Sequence, residues 1–267
     1  MSNSNSLDEF IKQYPHCIFC GGTEPTTTKE HCPPKALFQH RQWPEGYEFP
    51  ACIKCNNGTS NHDRMLAMLA RTDYEGDAGN RDGKFVNLVA GVHSQDTSQI
   101  RRMLPSVREA RTYNRRYGIA PKPGQTHQDA SPVKITSAMQ TAVEVLSGKL
   151  AKAMYFREVG KVFPTHGCLA LRWFTNAELL ENDSYPIFQM LEGISGNAPL
   201  LKRGGMVLND QFSYKFTLTS DVDMFVLQAS FGSAFGLVIF GSGENGKLEG
   251  IMAEMAAKHG GFPFTVL

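Results

Sequence analysis

The sequence predicts an α+β protein: an N-terminal segment organised by a metal, followed by helices and an antiparallel sheet. Three observations predict it. Four of the six cysteines, Cys17, Cys20, Cys52 and Cys55, form two C-x2-C pairs within the first 55 residues. "ITSAMQTAVEVLSGKLAKAMYFREVG", residues 135–160, repeats apolar residues at Met139, Val143, Leu146, Leu150, Ala153 and Met154, the spacing of one buried helix face. "FSYKFTLTS", "DMFVLQASF" and "AFGLVIFGS" are β-rich runs bounded by turn signals at Asp221 and Gly232, which predicts three antiparallel strands.

Composition sets the frame for these elements. The chain has 267 residues, 41% hydrophobic and 20% charged, ordinary for a soluble globular protein of one large or two small domains. No apolar run is long enough to span a bilayer, and "MSNSNSLDEF" lacks the basic and apolar regions of a secretory signal. The expectation is a cytoplasmic protein with no membrane partner. In that reducing compartment structural disulfides are disfavoured. Two C-x2-C knuckles separated by a spacer then signal a tetrahedral structural Zn2+ site, with a coincidence of buried thiols as the plainer alternative. Cys32 and Cys168 read as buried thiols rather than ligands.

In chain order, residues 1–14 read as a short helix or a frayed end. Residues 15–75 are rich in Pro, Gly, Thr and Asn, so their own apolar core is small and a zinc staple would supply folding energy. From Ser60, "SNHDRMLAMLAR" places Met65, Leu66, Met68 and Leu69 at helical spacing. "GDAGNRDGK" reads as a loop, residues 96–118 as helix divided by Pro105, and "PKPGQTHQDASP", 121–132, as a linker. After the strands, "LEGIMAEMAAKHG" reads as a short helix. The organisation expected is 1–75, the zinc segment; 76–133, a basic helical connector and linker; and 134–267, a helix-plus-antiparallel-sheet domain.

The net charge of +1 hides an uneven distribution. Residues 101–116 hold six arginines, Arg101, Arg102, Arg108, Arg111, Arg115 and Arg116, against one acid, Glu109, whereas residues 162–267 hold ten acids and six Lys or Arg. The arginines read as a phosphate-contacting face, with Tyr113 and Tyr117 adding stacking. The alternative is a solvated face making salt bridges to the acidic C-terminal region.

The knuckles frame one further motif, "KEHCPP": the order is Cys17-x2-Cys20, Glu30-His31, Cys52-x2-Cys55-Asn56. It resembles the HNH (ββα-metal, treble-clef) endonucleases, in particular the zinc-stapled branch similar to endonuclease VII, over residues 15–70 only. The resemblance implies a zinc-pinned β-hairpin and helix with His31 and Asn56 facing each other. It makes Glu30 and Asn56 ligands of a second ion and His31 the general base, a role suited to an unperturbed imidazole. Zinc held by four thiolates has no open position, so the second ion would be hard and oxygen-liganded, Mg2+ or Mn2+. The activity implied is metal-dependent nicking of DNA, with RNA a further substrate and a homodimer allowing paired nicks. The chain departs from many members in carrying Glu30 where they have Asp, and "NNGTS" where they have a Lys.

Asp63, seven residues after Asn56, shares a face with it if one helix covers both, which would make it a third ligand. A Ser60–Asp63 capping box is the competing reading. Pro33 and Pro34 are expected to end the strand and project His31 outward, away from any sheet ladder. The rival function is a non-catalytic zinc module that recognises nucleic acid or a protein. The C-terminal region would then do the recognising, or in either case dock a regulatory partner.

Overall fold

The computed structural model describes residues 6–72, 81–178, 188, 191, 196–219, 224–244, 246–259 and 264–267. Helix α1 (Leu7–Gln13) opens the chain on a capping box between Ser6 and Glu9. Strands β1 (Thr28–His31) and β2 (Glu48–Ala51) then form an antiparallel hairpin in which Thr28 pairs with Ala51 and His31 with Glu48. Cys52 caps the short helix α2 (Ile53–Asn57), and α3 (Ser60–Leu69) follows.

Two expectations about this junction do not hold. The chain breaks between α2 and α3 at Gly58–Thr59, so no single helix carries Asn56 and Asp63. The N-cap of α3 is Thr59, with no side-chain cap bond, so the Ser60–Asp63 capping box does not form. The apolar face of α3 is as expected: Met65, Leu66, Met68 and Leu69 are all buried.

The "GDAGNRDGK" loop lies partly outside the described residues, and its described end, 81–84, is turn. Helix α4 (Phe85–Gln95), which the sequence analysis did not find, comes next. Phe85, Leu88, Val89 and Val92 recur at i, i+3, i+4 and i+7 and pack against the main core, although the three valines lower helix propensity and only Val92 is fully buried. Helices α5 (Thr97–Met103) and α6 (Val107–Arg116) are divided near Pro105 as expected, each with a side-chain N-cap, from Asp96 and Ser106. Residues 121–132 form turns without helix or strand.

Helix α7 (Ser137–Val159) starts on the Thr136 hydroxyl, which accepts from Met139 N, and stops at Gly160 in the left-handed region (φ 74°). All six residues of its expected apolar face are buried. Burying a leucine such as Leu146 or Leu150 contributes about 1.5–3 kcal/mol relative to exposure. One side of α7 meets α3, the other the sheet.

The sheet is antiparallel, in the order β6 (Ser213–Leu218), β7 (Met224–Phe231), β8 (Phe235–Ser242), β3 (Cys168–Thr175), β9 (Thr265–Val266). The three expected strands are present, and Gly232 turns β7 into β8 at φ 56°. Asp221 lies outside the described residues. Strand β3 was not expected, yet it pairs with β8 along its whole length, from Cys168 opposite Ser242 to Thr175 opposite Phe235. Leu237 and Ile239 of β8 face the α7 core, while Val238 and Phe240 face a smaller cluster closed by Leu248 of α8 (Lys247–His259). A separate hairpin, β4 (Lys202–Arg203) and β5 (Met206–Val207), precedes β6.

One contiguous set of buried residues runs from Cys17, Ile18 and Cys52 through α3 and α7 to Phe225, Leu237 and Ile239. The cysteine-rich segment therefore shares its core with the sheet. Among the described residues no helix is long and apolar enough to cross a membrane.

Candidate metal centre and adjoining cavity

The sulfurs of Cys17, Cys20, Cys52 and Cys55 lie within 4.8 Å of one another. Local structure explains how. The first knuckle turns back through Gly21 (φ 70°) and Gly22 (φ 82°), whose N–H donates to Cys17 O at 2.9 Å. Ile18 N donates to Pro50 O at 3.1 Å, which lays this turn on β2. The second knuckle starts α2, where Cys55 N donates to Cys52 Sγ at 3.4 Å. Burial pushes the Cys17 and Cys55 thiols up. Four sulfurs this close ionise together only around a cation, and a four-thiolate set suits a tetrahedral metal such as zinc. Cys32 is buried as expected, and Cys168, half-buried, packs against the smaller cluster.

Next to this cluster is a cavity of about 420 Å3. It is lined by Glu30 and His31 from β1, Asn56 from α2 and Asp63 from α3, together with Lys35, Arg41 and Arg64. The three residues that the motif singled out, Glu30, His31 and Asn56, meet there, and Asp63, the further candidate from helical spacing, lines the same cavity.

Each is held differently. Glu30 is buried and ion-paired to Lys149 of α7, whose ammonium also donates to Cys55 O at 3.1 Å and Thr59 Oγ1 at 3.0 Å. Burial raises the Glu30 carboxyl to about 7 against the opposing pull of Lys149. Burial likewise raises Asp63 to about 6. Asp63 has no hydrogen-bond partner for its carboxylate among the described residues and opens on the cavity. The Asn56 side-chain amide donates to Thr28 Oγ1 at 3.0 Å and Lys29 O at 3.3 Å, tying α2 to β1. A carbonyl can only accept, so Asn56 Nδ2 faces Lys29 and its Oδ1 is left for another partner.

His31 corrects one expectation. The prolines end β1, but His31 remains in the ladder as its last residue, and its side chain is only 20% exposed. Its Nε2 lies 3.0 Å from Glu48 Oε1, and its ring meets Trp43 edge-on at 4.8 Å between centroids. A carboxylate only accepts, so the proton belongs on Nε2 and Nδ1 keeps its lone pair. Burial and the Lys35 charge lower the imidazole to about 4, against the pull of Glu48, so it is neutral at pH 7.

Several participants escaped the sequence reading. Lys149 is 119 residues from Glu30, beyond the reach of any spacing rule. Lys35 and Arg203 sit over the Trp43 ring, 3.7 and 3.6 Å from its centroid. Arg41 reaches the cavity from a loop where both it and His40 have positive φ, 55° and 52°. Buried Arg71 braces that loop by donating to Ala36 O (3.1 Å), Phe38 O (3.3 Å) and Asp82 (3.1 Å).

The six arginines of 101–116 are all exposed, and none lines the cavity. Among the described residues none of them pairs with the acidic C-terminal region. Arg102 pairs with Asp96 at 3.8 Å, and Arg116 lies over the Tyr117 ring at 5.2 Å. Tyr113 and Tyr117 pack on one another, with centroids 4.4 Å apart.

Fold and site together define an α+β protein with a four-cysteine cluster able to hold a metal such as zinc. Compared with protein-family models, curated proteins and solved structures, the chain matches none.

Proposed function

We propose that the chain is a zinc-stapled, metal-dependent endonuclease of the HNH (ββα-metal) kind, nicking DNA phosphodiester bonds. The observation that carries this reading is the single cavity that collects Glu30, His31, Asn56 and Asp63 beside a four-cysteine cluster, with Lys35, Arg41 and Arg64 around it. Asp63, the Glu30 oxygen not bound by Lys149 and Asn56 Oδ1 are hard oxygen donors, the set that Mg2+ or Mn2+ takes. Such an ion, when bound, would stabilise charge on the phosphate and the leaving oxygen.

The protein's own groups do the rest. His31 Nδ1 accepts a proton from the attacking water. Glu48 holds Nε2–H, fixing the tautomer and steadying the imidazolium that forms. Lys35, Arg41 and Arg64 attract and orient the phosphate. The four-cysteine zinc, coordinatively closed, staples the hairpin to α2.

His31→Ala tests the reading, with zinc content, circular dichroism and plasmid nicking in Mg2+ and Mn2+ as measurements. Zinc and fold are expected to survive while nicking disappears. Unchanged nicking in the variant, or no cutting of any DNA or RNA by the wild type, overturns it. One observation favours a second reading: Lys149 already neutralises Glu30. The chain would then be a non-catalytic zinc module binding nucleic acid through its cationic groups, with DNA affinity but no turnover.

A further inference from the structure

We propose that Lys149 is the positioning residue of this site, so that helix α7 completes a centre whose other parts lie between residues 17 and 63. The proposal rests on the reading of Glu30 and Asp63 as holding a divalent ion. An ammonium has three donors in tetrahedral array and no acceptor. Lys149 directs them at three acceptors on three separate pieces of chain: Glu30 on β1, the carbonyl of Cys55 in the second knuckle, and the Thr59 hydroxyl at the α2–α3 break. Those pieces carry His31, Asn56 and Asp63 respectively. One side chain thus sets the placement of the candidate base relative to the candidate ion ligands.

The surroundings make this clamp rigid. The Lys149 side chain is 12% exposed and that of Glu30 8%. The lysine lies two residues after Ser147 and directly before Leu150, both fully buried on a helix anchored in the main core. The Phe19 ring lies 5.3 Å from the ammonium. Lys152, three residues on, donates to Phe19 O at 2.9 Å, so α7 grips the first knuckle as well as the second. Lys149 is absent from the cavity lining and acts through Glu30, which lines it: the ammonium holds Oε1 and leaves the other carboxylate oxygen without a bond from Lys149.

The test uses the full zinc-loaded chain and the variants Lys149→Met, Thr59→Val and Lys152→Met. Readouts are zinc content, melting temperature, Mn2+ binding by electron paramagnetic resonance, and kcat and KM for plasmid nicking. Outer partners of metal-binding carboxylates typically contribute about 10–100-fold in ion affinity or activity. For Lys149→Met that loss is expected in Mn2+ affinity and kcat, with zinc retained and KM for DNA within about threefold of wild type. Lys152→Met is expected to lower the melting temperature without changing Mn2+ affinity, because its acceptor, Phe19 O, lies in the first zinc knuckle, on a piece of chain that carries none of the candidate Mn2+ ligands.

Unchanged or tighter Mn2+ binding in Lys149→Met overturns the proposal, as does a wild type that binds no Mn2+ beyond the zinc site. Should Lys149→Met fail to fold, Thr59→Val decides: it removes one acceptor and is expected to weaken Mn2+ binding severalfold, and no change overturns the proposal. A wild type that binds Mn2+ but cuts nothing sinks the nuclease reading, while the variants' Mn2+ affinities still decide the role of Lys149.

Discussion

His31 and Glu48 are register partners across the β1–β2 hairpin, and Nε2 of the one lies 3.0 Å from Oε1 of the other. The ladder that orders the backbone therefore also orders the imidazole. Glu48→Gln preserves shape but replaces an obligate acceptor by an amide that can donate to Nε2 and shift the proton to Nδ1. Nicking is expected to fall by about 10–100-fold, the usual cost of losing a histidine's orienting partner. DNA affinity and zinc content should stay at wild type. Initial nicking rates beside fluorescence anisotropy check this, and an equal loss in both would place Glu48 in substrate binding instead.

The four cysteines share the main core with α3, α7 and the sheet. Metal removal should therefore reach beyond the knuckles. Cys52→Ser, or exhaustive chelation, is expected to release the metal and broaden or lower the melting transition of the whole chain. The scale is set by structural zinc sites in small peptides, about 10–16 kcal/mol of apparent binding free energy. Elemental analysis together with near-ultraviolet circular dichroism measures it. A metal-free protein melting like the wild type would show that the cluster is not a staple.

The legible parts of this molecule are those with a local period or spacing. The α7 stripe from Met139 to Met154, the α3 face and the strands β6 to β8 all follow from repeats within a few residues. The cysteine pairing and the meeting of Glu30, His31 and Asn56 were legible because paired C-x2-C knuckles tie distant residues through a recognisable spacing, whereas Asp63 reaches the same cavity from a separate helix and not along the single helix its spacing suggested. Strand β3 was not legible, because "CLALRWFT" is apolar at consecutive positions without period-two alternation and carries Arg172 within the run, although the Pro164–Gly167 turn precedes it. The α2–α3 break was left open, because the seven-residue spacing from Asn56 to Asp63 fits one helix while Gly58 favours a later start at Ser60. Lys149 had no signal at all: a single polar residue on the face of a core helix reads as surface until the partner brought against it is known.

Arg71 and Asp82 form a buried pair, with side chains 3% and 0% exposed, that pins the loop carrying Arg41. Breaking such a pair by removing one partner typically costs about 3–5 kcal/mol, which is the expectation for Arg71→Ala. Burial alone would raise the Asp82 carboxyl, but hydrogen bonds from Arg71 and from the His40 and Lys84 amides outweigh it and hold the group below the usual aspartate range. A depressed folded value stabilises the native state above the unfolded one, about 3.9, and that contribution is lost as pH falls through the folded value. The stability difference between wild type and Asp82→Asn should be constant from about pH 5 upward and shrink below about pH 4. Urea unfolding across pH measures it; a gap that widens in acid would reverse the sign and refute the assignment.

On the proposed nuclease reading, two groups of cations compete for the role of phosphate contact. Lys35, Arg41 and Arg64 line the cavity, whereas Arg108, Arg111 and Arg115 lie exposed on α6 and touch no part of it. Position separates their effects. A cation in the cavity meets the phosphate being cleaved, so Arg64→Ala should lower kcat/KM on short and long DNA alike. A cation on α6 meets phosphates farther along the strand, so the triple alanine variant should weaken binding to long duplexes and leave cleavage of a short one unchanged. Each lost phosphate contact reduces the slope of log affinity against log salt by about 0.9. The triple variant is therefore expected to flatten that slope by up to about 3 units if all three arginines contact phosphate. An unchanged slope would mean that the basic helix is a solvated face, and that the strand leaves the cavity in another direction.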